Sequence, residues 1–213
     1  MSNYSVHSQN LSKLFGRRLI FSGINFNWEE SGIFGISGPN GSGKSTLVKI
    51  VAGLIAPSAG KLVHKISEGE IIPEKLHNHI GFVSPYLILY EEFSAWENLK
   101  IFAKIRGISL IEERINDYLK KFLLETRKDD LVKTYSSGMK QRLKFVFALM
   151  HFPEVLIFDE PTSNLDEEGK KVVYDIISEE GKTRIVIIAS NESKDLELCD
   201  EVLLLEKYKG IKV

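Results

Sequence analysis

The sequence predicts an α/β fold: a core carrying an N-terminal antiparallel β subdomain and interrupted by an inserted all-helical subdomain. Three observations predict it. The loop Gly38-Pro39-Asn40-Gly41-Ser42-Gly43-Lys44-Ser45-Thr46 separates a short apolar run from a helical pattern. Between Pro85 and Met150 the hydrophobic period becomes that of helices. Beyond it, short continuous apolar runs return, as expected of strands buried on both faces.

Taken in order, Val6 to Phe15 and Leu19 to Trp28 are β-favouring runs punctuated by Gly16 and Gly23. Ile33-Phe34-Gly35-Ile36 reads as a buried strand, and Leu47 to Ala52 as a helix. The loop between them fits G-x-x-x-x-G-K-[ST], whose backbone N–H groups wrap a nucleotide's phosphates at a helix N-terminus. A P-loop NTPase core that takes a nucleoside triphosphate follows from that context. Pro57-Ser58-Ala59-Gly60 is a turn, with further strands at 61–72 and 79–83.

Ser94 and Glu97 form a capping-box pattern opening a helix to about Arg106, and Ser109 with Glu112 forms another. Ile111, Ile115, Tyr118, Leu119, Phe122 and Leu123 share one helical face, read as core. Arg127-Lys128-Asp129-Asp130 is a solvated connection. Val155-Leu156-Ile157-Phe158 is a buried strand, and Lys170 to Ser178 a helix with Val172, Val173, Ile176 and Ile177 inward. Strands at 184–189 and 201–205 complete the sheet. The expected organisation is one domain, with residues 1–84 and 151–213 forming the α/β core and β subdomain and 85–150 the helical subdomain.

Bulk properties narrow the partners. A chain of 213 residues with 43% hydrophobic and 27% charged content is an ordinary globular protein with a full core. A net charge of −1 carries no polyanion signature, so no nucleic-acid partner is expected. The single cysteine, Cys199, makes no internal disulfide and suits a reducing compartment. Met1 to Ser5 lacks the basic and apolar regions of a signal peptide, and the apolar runs fall far short of the ~18 residues that span a bilayer. A cytoplasmic location is expected, free or held at the membrane by a partner.

Two further motifs carry chemistry. Asp159-Glu160 closes the strand 155–158, where a carboxylate beside a phosphate loop holds Mg²⁺ and a second one polarises water. Tyr135-Ser136-Ser137-Gly138-Met139-Lys140-Gln141-Arg142 opens a helix. By itself it is either an ordinary serine cap or a helix end that docks phosphate.

These motifs, in the order phosphate loop, Ser-x-Gly-x-x-Gln-Arg, Val-Leu-Ile-Phe-Asp-Glu-Pro and Ser163-Asn164-Leu165-Asp166, resemble the ATP-binding subunit of an ABC transporter from about residue 4 to 207. The resemblance implies a head-to-tail dimer, homomeric or heteromeric, that sandwiches ATP and Mg²⁺ and drives a membrane-spanning transporter subunit from the cytoplasmic face. It implies that Lys44 contacts the β/γ-phosphates, that Ser45 and Asp159 hold Mg²⁺, and that Thr46 with the backbone of 41–45 holds the α/β-phosphates. Glu160 would polarise the attacking water. Ser136 and Gly138 would complete the partner's site, and Asp166 would couple the two sites. Phe15 matches the adenine-stacking aromatic, with a core phenylalanine as the alternative. In length and in its signature variant the chain is similar to compact exporter-type subunits, including haem-export ones, and no regulatory domain is expected after 207.

Two positions depart from the family. Pro85 or Tyr86 stands where a glutamine normally reaches Mg²⁺, and Asn191 replaces the histidine that bonds the γ-phosphate. An amide donates a hydrogen bond but relays no proton. Slow or partner-dependent hydrolysis is expected, with a low-turnover regulatory subunit or a soluble ATPase of the superfamily as alternatives. Tyr86-Leu87-Ile88-Leu89-Tyr90 is either a docking rim for the membrane subunit, sensitive to charge at Leu87 or Leu89, or a buried connection.

Overall fold

The computed structural model describes residues 4–67, 69–108 and 112–209. β1 (Tyr4–Phe15) and β2 (Arg18–Glu29) alternate inward and outward residues and bury Val6, Leu11, Phe21, Ile24 and Trp28. They join β4 (Ala59–Ile66) and β5 (Gly69–Glu70) in an antiparallel sheet ordered β2-β1-β4-β5. The expected strand at 61–72 is therefore a hairpin, because Ser67 turns the chain at φ 53°.

A second sheet runs parallel in the order β6-β7-β8-β3-β9. Its strands are β3 (Gly32–Ser37), β6 (Ile80–Val83), β7 (Val155–Asp159), β8 (Ile185–Ser190) and β9 (Glu201–Leu204). Every residue of β7 and β8 is buried, so both read as unbroken apolar runs. Register aligns Ser37 with Ser190 and Asp159 with Ala189. The chain segments leaving β3, β7 and β8 thus emerge side by side at one sheet edge, where open α/β sheets bind ligands. The short helix α2 (Leu76–His79) occupies the residues just before β6.

α1 (Lys44–Val51) packs on β7 and β8 and buries Leu47, Val48, Ile50 and Val51. The helical segment comprises α3 (Ala95–Arg106), α4 (Glu112–Lys121) and α5 (Ser137–Leu149). Aromatic contacts tie it to the sheet: Phe122 stacks on Phe145, whose ring lies 5.0 Å from that of Phe158 in β7. The first capping box forms as expected. Ser94 N–H donates to Glu97 Oε2 at 2.8 Å and Glu97 N–H to Ser94 Oγ at 3.1 Å. Ser109 of the second box, and Ile111, lie outside the described residues.

One stripe residue is corrected. Ile115, Tyr118, Leu119 and Phe122 are buried, but Leu123 is 45% exposed at φ 57°. α4 ends at Lys121, so the helical period no longer holds there, and Leu124 fills the core position. In α6 (Glu167–Gly181), Val173, Ile176 and Ile177 are buried and Val172 is half-buried. α7 (Ser193–Leu196) links β8 to β9.

The segment 86–90 divides by residue. Leu89 is 7% exposed and belongs to the core, whereas Ile88 is 87% exposed. Leu89 is therefore a packing residue, and a charge there would damage the fold rather than docking alone. Buried Asn98 fixes this segment: its Nδ2 donates to Tyr90 O at 2.9 Å and Ser94 O at 2.8 Å, and its Oδ1 accepts from Tyr90 N–H at 2.9 Å. Among the described residues, no helix is long and apolar enough to cross a membrane.

Asn98→Leu keeps the volume but strands the Tyr90 N–H and takes one of two donors from Tyr90 O, which keeps the Phe93 N–H at 3.2 Å. We expect it to cost about 2–3 kcal/mol in urea unfolding, and an unchanged midpoint would contradict this assignment.

Candidate functional site

The loop after β3 turns back on itself, with Ser42 N–H donating to Pro39 O at 3.0 Å. Gly43 then caps α1 at φ 108°, and a Cβ there would lie 2.5 Å from Ile20 Cγ2. Only glycine meets both conditions. No acidic side chain occupies the first turn of α1, so its unpaired N–H groups are open to an external anion. Ser42 Oγ is buried without a hydrogen-bond partner.

Lys44 is 5% exposed; its Nζ donates to Gly38 O at 2.8 Å and pairs with Glu160 Oε1 at 3.3 Å. Ser45 Oγ donates to Asp159 Oδ1 at 3.1 Å, while Asp159 Oδ2 is buried with no partner. Burial raises the Asp159 carboxyl above its ordinary range, opposed by the Ser45 hydrogen bond and the charges of Lys49 and Lys44. Burial also raises Glu160, against the pull of Lys44. Two adjacent carboxylates thus share insufficient positive charge, and one buried carboxylate oxygen is free.

A hydroxyl beside such an oxygen suits Mg²⁺, which takes one or two protein oxygens and completes its shell with water and phosphate. Among the described residues no group of three or more His, Cys, Asp and Glu side chains forms a self-sufficient metal cage.

These groups border an open cleft of about 730 Å³. Its walls include the expected Asn40, Gly41, Gly43, Lys44, Ser45, Thr46, Glu160 and Asn191. Gly38, Pro39, Ser42 and Asp159 support it from behind through the contacts just described. Arg18, Ile20 and Glu192, which sequence reasoning missed, also line it, as do Ser163 and Asn164, which it had noted only as part of the motif ending at Asp166. Arg18 carried no motif; only its place three residues after Phe15 could have drawn attention. Pro85 and Tyr86 both reach the cleft, with Lys49 Nζ 4.7 Å from the centre of the Tyr86 ring.

Glu160 and Asn164 adopt left-handed backbone, φ 52° and 62°. Such residues store about 1–3 kcal/mol each and concentrate at functional sites. The Glu160 N–H is held by Ala189 O at 2.9 Å, which anchors the turn to β8.

The remaining expected residues lie outside the cleft wall. Phe15 is 52% exposed with Lys13 Nζ 4.9 Å from its ring, which excludes the core alternative. Ser136 caps α5, its Oγ accepting from Met139 N–H at 3.2 Å. Gly138 permits close approach, since a Cβ there would lie 3.2 Å from Asn164 O. One turn on, Gln141 Nε2 donates to Pro161 O at 3.2 Å and ties this helix to the loop after Glu160. Asp166 caps α6 by accepting from Gly169 N–H at 2.8 Å.

Residues 21–163 match the family model described as ABC transporter. The chain is 35% identical to the ABC transporter ATP-binding protein YdbJ of Bacillus subtilis, over 97% of this chain and 68% of that protein. It is also 35% identical to the lantibiotic transport ATP-binding protein SrtF of Streptococcus pyogenes, over 95% of this chain and 90% of the relative. The Nod factor export ATP-binding protein I of a Rhizobium species is 32% identical, over 97% and 69%. Among solved structures, an ABC transporter ATP-binding protein from Pyrococcus furiosus superposes with a TM-score of 0.83 at 26% identity, over 97% of this chain and all of that one.

Because burial raises Asp159, the stability tied to its protonation is fully present below the ordinary carboxylate range and is lost as pH rises through the raised value. Asp159→Asn is therefore expected to raise the Tm of the nucleotide-free protein at neutral pH while removing stabilisation by Mg²⁺ with nucleotide. Calorimetry as a function of pH checks this, and a lower Tm for the variant would refute it.

Proposed function

This chain belongs to the ABC transporter family, and on that premise we propose that it is the ATP-binding and ATP-hydrolysing subunit of a transporter whose path lies on a separate membrane-spanning polypeptide. The carrying observation is the convergence of Lys44, Ser45, Asp159 and Glu160 at the mouth of α1. In this reading residues 1–213 form one ABC ATPase domain, with 85–150 as its helical subdomain.

ATP enters with its phosphates against the N–H groups of 41–46. Lys44 then leaves Glu160 for the β/γ-phosphates, and the released Glu160 carboxylate, its basicity raised by burial, orients and polarises water toward the γ-phosphate. Ser45 and Asp159 would hold Mg²⁺, which would supply positive charge against the triphosphate. Asn191 donates its amide to the γ-phosphate side. Exposed Phe15 offers its face to adenine.

Ser136 and Gly138 sit away from the cleft, which supports their use in the site of a second copy or a related subunit. Closing two such chains head to tail on ATP is the proposed power stroke. Ile88, Tyr86 and Tyr90 are large and exposed, and form the apolar rim proposed to receive the membrane subunit at the cytoplasmic face. The export and resistance roles in the relatives' names support export as the direction. Asn191 favours a second reading, a nucleotide-gated regulatory subunit of low turnover paired with a competent homologue.

Glu160→Gln is expected to abolish phosphate release, retain ATP affinity and trap a dimer at saturating Mg-ATP. Light scattering that shows only monomers, with and without the membrane subunit, would sink the dimer reading. Asn191→His is expected to raise turnover of the assembled complex about tenfold; unchanged turnover there would remove Asn191 as the brake. Ile88→Glu should weaken assembly with the membrane subunit and leave Mg-ATP affinity of the free chain unchanged.

A further inference from the structure

Behind the cleft lies a buried carboxylate that the reading above does not use. Asp195 in α7 is 1% exposed and accepts three hydroxyl donors. Ser190 Oγ donates at 2.6 Å, Tyr174 OH at 2.9 Å, and Thr162 Oγ1 at 2.9 and 3.2 Å to the two carboxylate oxygens. Among the described residues no lysine, arginine or histidine pairs with it. A buried charge without a counter-ion is costly unless its lone pairs are filled, and hydroxyl–carboxylate bonds are among the strong ones.

The donors come from three separate elements. Thr162 lies two residues after Glu160, Ser190 ends β8 immediately before Asn191, and Tyr174 projects from α6 at the protein's rim. Ser190 Oγ also accepts from Glu192 N–H at 3.0 Å, so Asn191 is bracketed by groups tied to this carboxylate. The fold alone needs one hydrogen bond per buried polar group, whereas this arrangement joins the two turns that face the γ-phosphate.

We propose that Asp195 is a positioning residue for hydrolysis: by binding Thr162 and Ser190 at once, it locks the Glu160 loop to the strand end that presents Asn191. The proposal rests on the roles given to Glu160 and Asn191 above. Tyr174 satisfies the remaining lone pair from outside and contributes to packing, not to the lock.

The test uses the full chain with Mg-ATP, following steady-state phosphate release together with amide hydrogen exchange. Asp195→Asn is expected to lower kcat at least about tenfold while KM stays within about twofold. Exchange should rise together in segments 161–165 and 190–192 and remain unchanged elsewhere. Thr162→Val and Ser190→Ala should each reproduce part of the loss, and neither should be fully additive with Asp195→Asn. Tyr174→Phe should remain within about twofold of the parent.

Parental kcat in Asp195→Asn, or faster exchange confined to α7, overturns the proposal. So does an equal loss in Tyr174→Phe, which would mark a purely structural network. Should Asp195→Asn fail to fold, Thr162→Val and Ser190→Ala decide by the same readouts. If Glu160→Gln turns over like the parent, the hydrolytic reading fails instead, and the exchange result still judges the lock.

Discussion

Negative charge held at the edge of a buried sheet, with too little positive charge beside it, governs this molecule's site. Asp159 ends a fully buried strand, and among the described residues the side-chain donors to the pair of carboxylates there are a serine hydroxyl and one ammonium group. Adjacency in the chain puts Glu160 next to Asp159, and the pairing of β7 with β8 through Asp159 and Ala189 holds both beside Ser190. Without a cation the arrangement is electrostatically unfavourable, and on the proposed reading a nucleotide accompanied by Mg²⁺ would relieve it. Affinity for the ligand and instability of the empty site thus have one origin.

The same edge is linked to the surfaces a transporter ATPase must address. Glu160 is held at a left-handed φ of 52° by the hydrogen bond to Ala189 O, and its loop is gripped on one side by Gln141 from the Ser136 helix. On the other side the chain runs through Asn164, also left-handed, into the Asp166 cap of α6. A displacement of the Ser136 helix therefore reaches the Glu160 backbone through one hydrogen bond, without crossing the core. Such a short path suits a domain whose two nucleotide sites must respond to each other.

How much of this was legible in the sequence depended on the range of the interaction. The phosphate loop, the Ser94–Glu97 box and the apolar strands at 155–158 and 185–189 are local patterns, and each formed where its residues stand. Leu123 misled because helical periodicity says nothing about where a helix stops, and α4 stops two residues earlier. The run 61–72 misled because apolar residues stand on both sides of Ser67, and the lone Gly69 beside the turn is a weak signal within an otherwise strand-like run. Arg18 and the Asp195 network were invisible for a different reason. Their partners are assembled by strand register and loop closure between segments far apart in the chain, and a lone arginine or aspartate carries no spacing signal.

The replaced glutamine illustrates how a missing side chain is compensated by geometry. With Pro85 and Tyr86 at that position, no amide extends toward the metal. Instead the Tyr86 ring approaches Lys49, a residue of α1 whose charge is felt at Asp159. Asn98 meanwhile fastens Tyr90 to α3, so the intervening Ile88 is held outward on a segment anchored at both ends. On the proposed reading, a push received at Ile88 meets a segment tied to Lys49 through the Tyr86 ring and to α3 through Asn98.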